Sequence, residues 1–131
     1  MDGHTKKHSN LLLMCHLIFV CKYRKKLWIQ LGNDVKQLMH DTANRYHFRI
    51  VEMEADQDPI HLLIQYEPKM SILEIVRLLK QMTTFHIWKQ HEMYLSKHFW
   101  KERTFWSDGY FACSIGNVSK EVVQKYIQEQ G

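Results

Sequence analysis

Cysteine is scarce in this chain. Cys15, Cys21 and Cys113 are odd in number and scattered over 131 residues, which argues against a disulfide scaffold and for a reducing cytoplasm. Nor do they have the paired spacing of a structural zinc site. Long apolar runs are missing as well. The longest, Leu11 to Val20, is interrupted by His16, so no segment reaches bilayer-spanning length. Residues 1–10 are polar, with His4, Lys6, Lys7 and His8, and lack the hydrophobic stretch of a secretion signal. A polar tail over 1–10 and a single domain over 11–131 are expected. Internal repeats and low-complexity tracts are also missing. What is there is ordinary for a folded globule: 45% hydrophobic and 24% charged residues.

The formal charge of +4 and pI of about 9.0 are modest; their distribution says more. Lys22, Arg24, Lys25 and Lys26 crowd around Tyr23, just before Trp28. A second stretch, Lys97-His98-Phe99-Trp100-Lys101-Glu102-Arg103-Thr104-Phe105-Trp106, interleaves cations with aromatics. Cations meet phosphates and aromatic faces stack on unpaired bases, so both suit a single-strand or hairpin nucleic-acid surface. The second stretch is equally compatible with a solvated basic loop whose aromatics belong to the core.

Leu12 to Cys21 reads as a buried strand. From Gly32 to Tyr46, apolar positions Val35, Leu38, Met39, Thr42, Ala43 and Tyr46 recur at helical spacing, with Asn33 or Asp34 as cap. Phe48 to Ala55 reads as a strand with Val51, Met53 and Ala55 on one face. Ile60 to Tyr66 is the next strand, and the short link between the two predicts a hairpin. Ser71-Ile-Leu-Glu74 is a capping box opening a helix whose stripe runs Ile72, Ile75, Val76, Leu79, Met82 and Phe85, ending near Lys89 to Glu92. The aromatic-basic stretch follows as an irregular segment. Tyr110 to Ser114 is a fourth strand, and Ser119 with Glu121 starts a final helix. The order β-α-β-β-α-β is that of an α+β, ferredoxin-like split βαβ: a four-stranded antiparallel sheet with helices on one face, here with a C-terminal helix added.

Two places carry chemistry. In the strand Ile60–Tyr66, alternation puts position 59 on the face of His61, Leu63 and Gln65. Histidines at 59 and 61 would grip one divalent ion side by side, but this chain has Pro59. A lone strand histidine is ordinarily a hydrogen-bonded structural residue. In the final helix, Tyr126 and Gln130 lie four apart on one face, although tyrosine on an amphipathic helix is ordinarily core or interface.

Four blocks nevertheless resemble, in order, the single-tyrosine (IS200-like) insertion-sequence transposases of the HUH endonuclease superfamily. They are His16-Leu-Ile-Phe-Val-Cys-Lys-Tyr-Arg-Lys-Lys26, Asp58-Pro-Ile-His-Leu-Leu-Ile64, Trp106-Ser-Asp-Gly-Tyr-Phe-Ala-Cys-Ser-Ile-Gly-Asn117 and Val123-Gln-Lys-Tyr-Ile-Gln-Glu-Gln130. The resemblance implies that Tyr126 is the nucleophile, and that His61 and Gln130 are ligands of a divalent metal, Mg or Mn. Lys22, Tyr23, Arg24, Lys25 and Lys26 are then the DNA-binding loop. It further implies cleavage and rejoining of single-stranded DNA with hairpin ends through a 5′-phosphotyrosine, a homodimer, no membrane partner, and a cytoplasmic, nucleoid-associated setting in a bacterium or archaeon. Pro59 occupies the first histidine's place and cannot ligate, so poorer metal affinity is expected. Asp58 points to the opposite face unless the chain bulges there. The competing readings are an impaired or domesticated relative that binds hairpins without efficient cleavage, and an RNA-binding module of ferredoxin-like fold. Against the latter, the expected central strands are aliphatic rather than aromatic.

Overall fold

The apolar stretches around Leu13–Phe19 and Ile60–Tyr66 form the two inner strands of one sheet. In a computed structural model of the chain, which describes residues 12–22, 27–55, 59–99 and 101–115, the order is β1 (Leu13–Phe19), α1 (Leu27–Tyr46), β2 (Arg49–Glu54), β3 (Ile60–Tyr66), α2 (Ile72–Gln90), α3 (Glu92–Ser96) and β4 (Phe111–Ser114). The strands are antiparallel and ordered β2-β3-β1-β4. The tail over 1–10, Tyr23 to Lys26, Asp58, Trp100 and the whole expected C-terminal helix, with Tyr126 and Gln130, lie outside the described residues.

Period-two alternation divides the sheet. Cys15, Leu17 and Phe19 of β1 and Ile60, Leu62, Ile64 and Tyr66 of β3 join one core with Leu31, Val35, Met39 and Ala43 of α1 and Ile75, Val76, Leu79 and Ile87 of α2. Both long helices therefore cover the same face. The capping box at Ser71 forms as the sequence predicts: the hydroxyl accepts from Glu74 N at 3.0 Å and the Glu74 carboxylate reaches back to Ser71 N.

Three expectations are corrected. First, α1 begins at Leu27, so Asn33 and Asp34 lie inside it rather than capping it. Gly32 sits mid-helix because the Trp28 indole lies over it, 3.4 Å from where a Cβ would stand, while Trp28 Nε1 donates to Ala55 O. Second, Phe85 is not in the core stripe but 56% exposed, and Ile87 with Trp88 packs inward instead. Third, β2 shifts register between Ile50 and Glu52. Val51 then packs with Met14 and Leu63 on the side away from α1 and α2 while Met53 faces the main core. Val51 and Met53 thus lie on opposite faces, because one inserted residue inverts everything beyond it.

The aromatic-basic stretch splits by chemistry. Phe99, Phe105 and Trp106 are buried, whereas Lys101, Glu102 and Arg103 are exposed, so those three aromatics belong to the core rather than to a base-stacking surface. Cys21 and Trp106 form an isolated bridge, with Lys22 N donating to Phe105 O at 2.7 Å and Ser107 N to Val20 O at 2.8 Å. Helix α2 holds the same segment from the other side. Trp106 Nε1 donates to Thr83 Oγ1 at 2.9 Å, Trp88 Nε1 donates to Thr104 O at 2.8 Å, and Lys80 Nζ reaches the carbonyls of Ser107, Asp108 and Gly109 at 2.7, 3.2 and 2.9 Å. This clamp sets the entry into β4.

Candidate active site

The face without α1 and α2 carries the chemistry. Strand alternation places His61 there, one residue from the helix-facing Ile60 and Leu62. Pro59 stands just before β3, at a bend, where its missing N–H disturbs no ladder bond. Beside His61, on the neighbouring strand, is His16. The register pairs Ile18 with His61 and His16 with Leu63, so the two histidines are diagonal neighbours on one face. Their ring centroids are 5.5 Å apart with planes 28° from parallel. Phe111 of β4 stands edge-on to His16 at 6.4 Å.

The bulge in β2 completes the row. Because register is displaced there, Glu54 faces His61 directly across the β2–β3 ladder instead of pointing into the main core. On the other side Cys113 pairs with His16 across β1–β4. A diagonal file of carboxylate, imidazole, imidazole and thiol therefore crosses the sheet: Glu54, His61, His16, Cys113.

His16 is fully buried and both its ring nitrogens are inaccessible. Burial, and then the neighbouring His61, hold its pKa below the ordinary imidazole value, so it stays neutral. His61 Nδ1 is also buried, with no hydrogen-bond partner among the described residues. Cys15, which faces the core, is pushed up to about 12 by burial and then by Cys113, leaving its thiol inert.

Of the residues named from sequence, Lys22 and His61 fall within the described chain. They are far apart in role: Lys22 Nζ lies 3.4 Å from Glu102 at the bridge with the 105–107 segment. Sequence reasoning missed His16, Glu54 and the outer face of α2. That outer face borders a groove of about 600 Å³ with the 103–108 segment, where the Arg103 guanidinium lies 5.0 Å above Trp88 and Lys89 lies 5.3 Å from the Phe85 ring centre. The groove is on the opposite side of the sheet from His61, so it is a separate surface from the candidate centre.

The fit to a divalent metal is incomplete. Position 59 offers no donor atom, and no three His, Cys, Asp or Glu side chains converge on one point among the described residues. Histidines at 59 and 61 would stand side by side along β3, but position 59 is proline.

An α+β sheet of this order, with a histidine on the face away from α1 and α2, defines a class of proteins, and comparison gives the family. The model of the family "Transposase IS200 like" matches residues 9–130; the chain belongs to the IS200-like transposases. It is 28% identical over 131 residues, 98% of this chain and 84% of the relative, to the transposase for insertion sequence element IS200 of Salmonella typhimurium. It is 25% identical over 116 residues, 88% of this chain and 81% of the relative, to the ISDra2 transposase TnpA of Deinococcus radiodurans. Its fold matches the crystal structure of a transposase from Deinococcus radiodurans R1 with a TM-score of 0.68, at 24% identity, over 91% of each chain. A REP-associated tyrosine transposase bound to a REP hairpin superposes with a TM-score of 0.57, at 12% identity, over 89% of this chain and 61% of that one.

Proposed function

We propose that this transposase cuts and rejoins single-stranded DNA through a 5′-phosphotyrosine on Tyr126, acting at hairpin ends of an insertion element. The observation that carries the reading is His61 on the face of an inner strand away from α1 and α2, within a chain that matches the family from residue 9 to 130. The hairpin-bound structure of the REP-associated relative supports DNA hairpins as the ligand class.

The chemistry is a pair of transesterifications. The phenol of Tyr126 loses its proton and its oxygen bonds to phosphorus. The P–O3′ bond breaks, and the departing 3′ oxygen takes up a proton as a hydroxyl. One phosphoester bond replaces another, so a 3′-hydroxyl can reverse the step onto the same or another strand without a nucleotide cofactor. A divalent ion, Mg or Mn, supplies charge stabilisation at a phosphate oxygen when bound; His61 and Gln130 are its proposed ligands. Lys22, Tyr23, Arg24, Lys25 and Lys26 contact backbone phosphates and fix the hairpin's position without reading its sequence. The working unit is a homodimer, in which each tyrosine helix serves its own or its partner's centre.

Incubation with a single-stranded hairpin and Mn²⁺ yields a protein–DNA adduct stable to denaturation, and Tyr126→Phe abolishes it. An undiminished adduct in Tyr126→Phe overturns the assignment. Pro59 favours a second reading, a hairpin-binding relative that cleaves inefficiently. Adduct formed by Pro59→His but not by the natural sequence selects that reading.

A further inference from the structure

We propose that Phe111 of β4 is a platform on which an unpaired base beside the scissile phosphate stacks, so that the substrate strand crosses the sheet from His61 toward β4. The inference rests on the DNA-cleaving reading above and adds to it a residue that holds the strand. Ladder register supplies the placement. Ile18 pairs with His61 across β1–β3 and with Phe111 across β1–β4. Residues directly opposite one another share a face, so His61, Ile18 and Phe111 form one row on the side away from α1 and α2. Tyr110, one residue earlier, turns the other way and lies against Lys80 of α2, 5.6 Å from its ring centre.

This row is the accessible one. In the row behind it His16 and Leu63 are buried, whereas Ile18 and His61 are half-buried and Phe111 is 52% exposed. The His16 ring meets Phe111 at 6.4 Å with planes 74° apart, so a buried group props the phenyl ring while much of its surface faces solvent. Neighbouring strands lie about 4.8 Å apart, which puts Phe111 about 10 Å from His61 along the row. A phosphate at His61 and the base of that nucleotide or the next can cover such a span. The other end of the row disfavours phosphate: Glu54, directly across from His61, sets a carboxylate against it, and like charges repel. Between a carboxylate on one side and an exposed ring on the other, the strand runs over Ile18 to Phe111.

Stacking on an aromatic face tolerates any base, because every base has a π-face. Phe111 therefore anchors the strand without choosing its sequence, and it requires a base that is not already paired. Stacking is measured as affinity, without cleavage. Its failure leaves the phosphotyrosine reading standing, and a missing adduct leaves the stacking measurable.

The test is a set of affinities for a hairpin oligonucleotide with a single-stranded flank, read by fluorescence anisotropy on the full-length Tyr126→Phe chain so that no bond forms. Phe111→Ala should weaken binding about 5- to 100-fold, the range that loss of one stacked base gives, and Phe111→Trp should preserve it. An abasic site is then placed at each flank position in turn. At one position it should weaken binding by a like factor and erase the difference made by Phe111→Ala. A merely structural or subunit-interface role for Phe111 would instead lower affinity equally for every flank. As a second measurement, p-benzoylphenylalanine in place of Phe111 should cross-link on irradiation to the nucleotide at that same position. Unchanged affinity in Phe111→Ala, a loss that no abasic site erases, or cross-linking to the hairpin stem alone overturns the proposal.

Discussion

Replacing Thr83 by valine isolates one bond of the clamp that leads the chain into β4. Thr83 is 1% exposed and Trp106 4%. The threonine hydroxyl donates to Leu79 O at 2.6 Å and accepts from Trp106 Nε1 at 2.9 Å. Valine keeps the branched shape and leaves the Leu79 carbonyl within its helix, but strands a buried indole N–H. An orphaned buried donor costs about 1–3 kcal/mol; the added methyl recovers part of this, so about 1–2 kcal/mol net is expected. With a urea m value of about 2 kcal/mol/M for a domain this size, the midpoint falls by about 0.5–1 M. The double-mutant cycle with Trp106→Phe should then show coupling of about 1 kcal/mol, since phenylalanine has no donor to strand. A loss below about 0.3 kcal/mol, or strictly additive variants, refutes the bond's role.

Other consequences are as direct. His47 closes α1 with φ 66°, and Phe48 N donates to Ala43 O at 3.1 Å. Relief of about 1–2 kcal/mol of left-handed strain, less about 0.5–1 for glycine's entropy, makes His47→Gly stabilising by about 0.5–1 kcal/mol in the same denaturation assay. His16, with its pKa depressed in the fold, binds its proton more readily when unfolded. The contribution of His16 to stability should therefore be constant above the ordinary value of 6.5 and fall as pH drops below it, and His16→Gln should flatten that acid limb in urea titrations. Alkylation at pH 8 should label Cys113 in the native protein and spare Cys15 and Cys21, which are buried, with all three labelled in denaturant. Neutralising Lys22, Arg24, Lys25 and Lys26 together should flatten the dependence of log affinity on log salt by about 0.7 to 0.9 for each phosphate that is no longer neutralised.

Local chemistry makes much of this fold readable. The Ser71 capping box needs only four consecutive residues, and it forms as expected. The inner strands β1 and β3 announce themselves because burial on both faces makes a nearly continuous apolar run. What escapes depends on distant partners. The first turns of α1 are hidden by Gly32, whose place is set by Trp28 and, through it, by Ala55. The β2 bulge breaks the two-residue period and cannot be seen from periodicity, yet it is what turns Glu54 toward His61. Phe85 continues a helical stripe in sequence, but the core demands Ile87 and Trp88 at that end of α2. Phe105 and Trp106 admit two readings in sequence, and the Cys21 bridge draws them inward. His61 is legible from alternation alone. His16 is visible as a residue but not as its neighbour, because only the β1–β3 register joins them.

The most direct test of the account is to map the bond. A hairpin oligonucleotide bearing distinct labels at its two ends is incubated with the protein and Mn²⁺, and the covalent product is digested and sequenced by mass spectrometry. One modified peptide is expected, carrying DNA on Tyr126 through a 5′ phosphate, with the released fragment ending in a 3′-hydroxyl. DNA on a different residue, linkage through a 3′ phosphate, or no covalent product even from Pro59→His would contradict it.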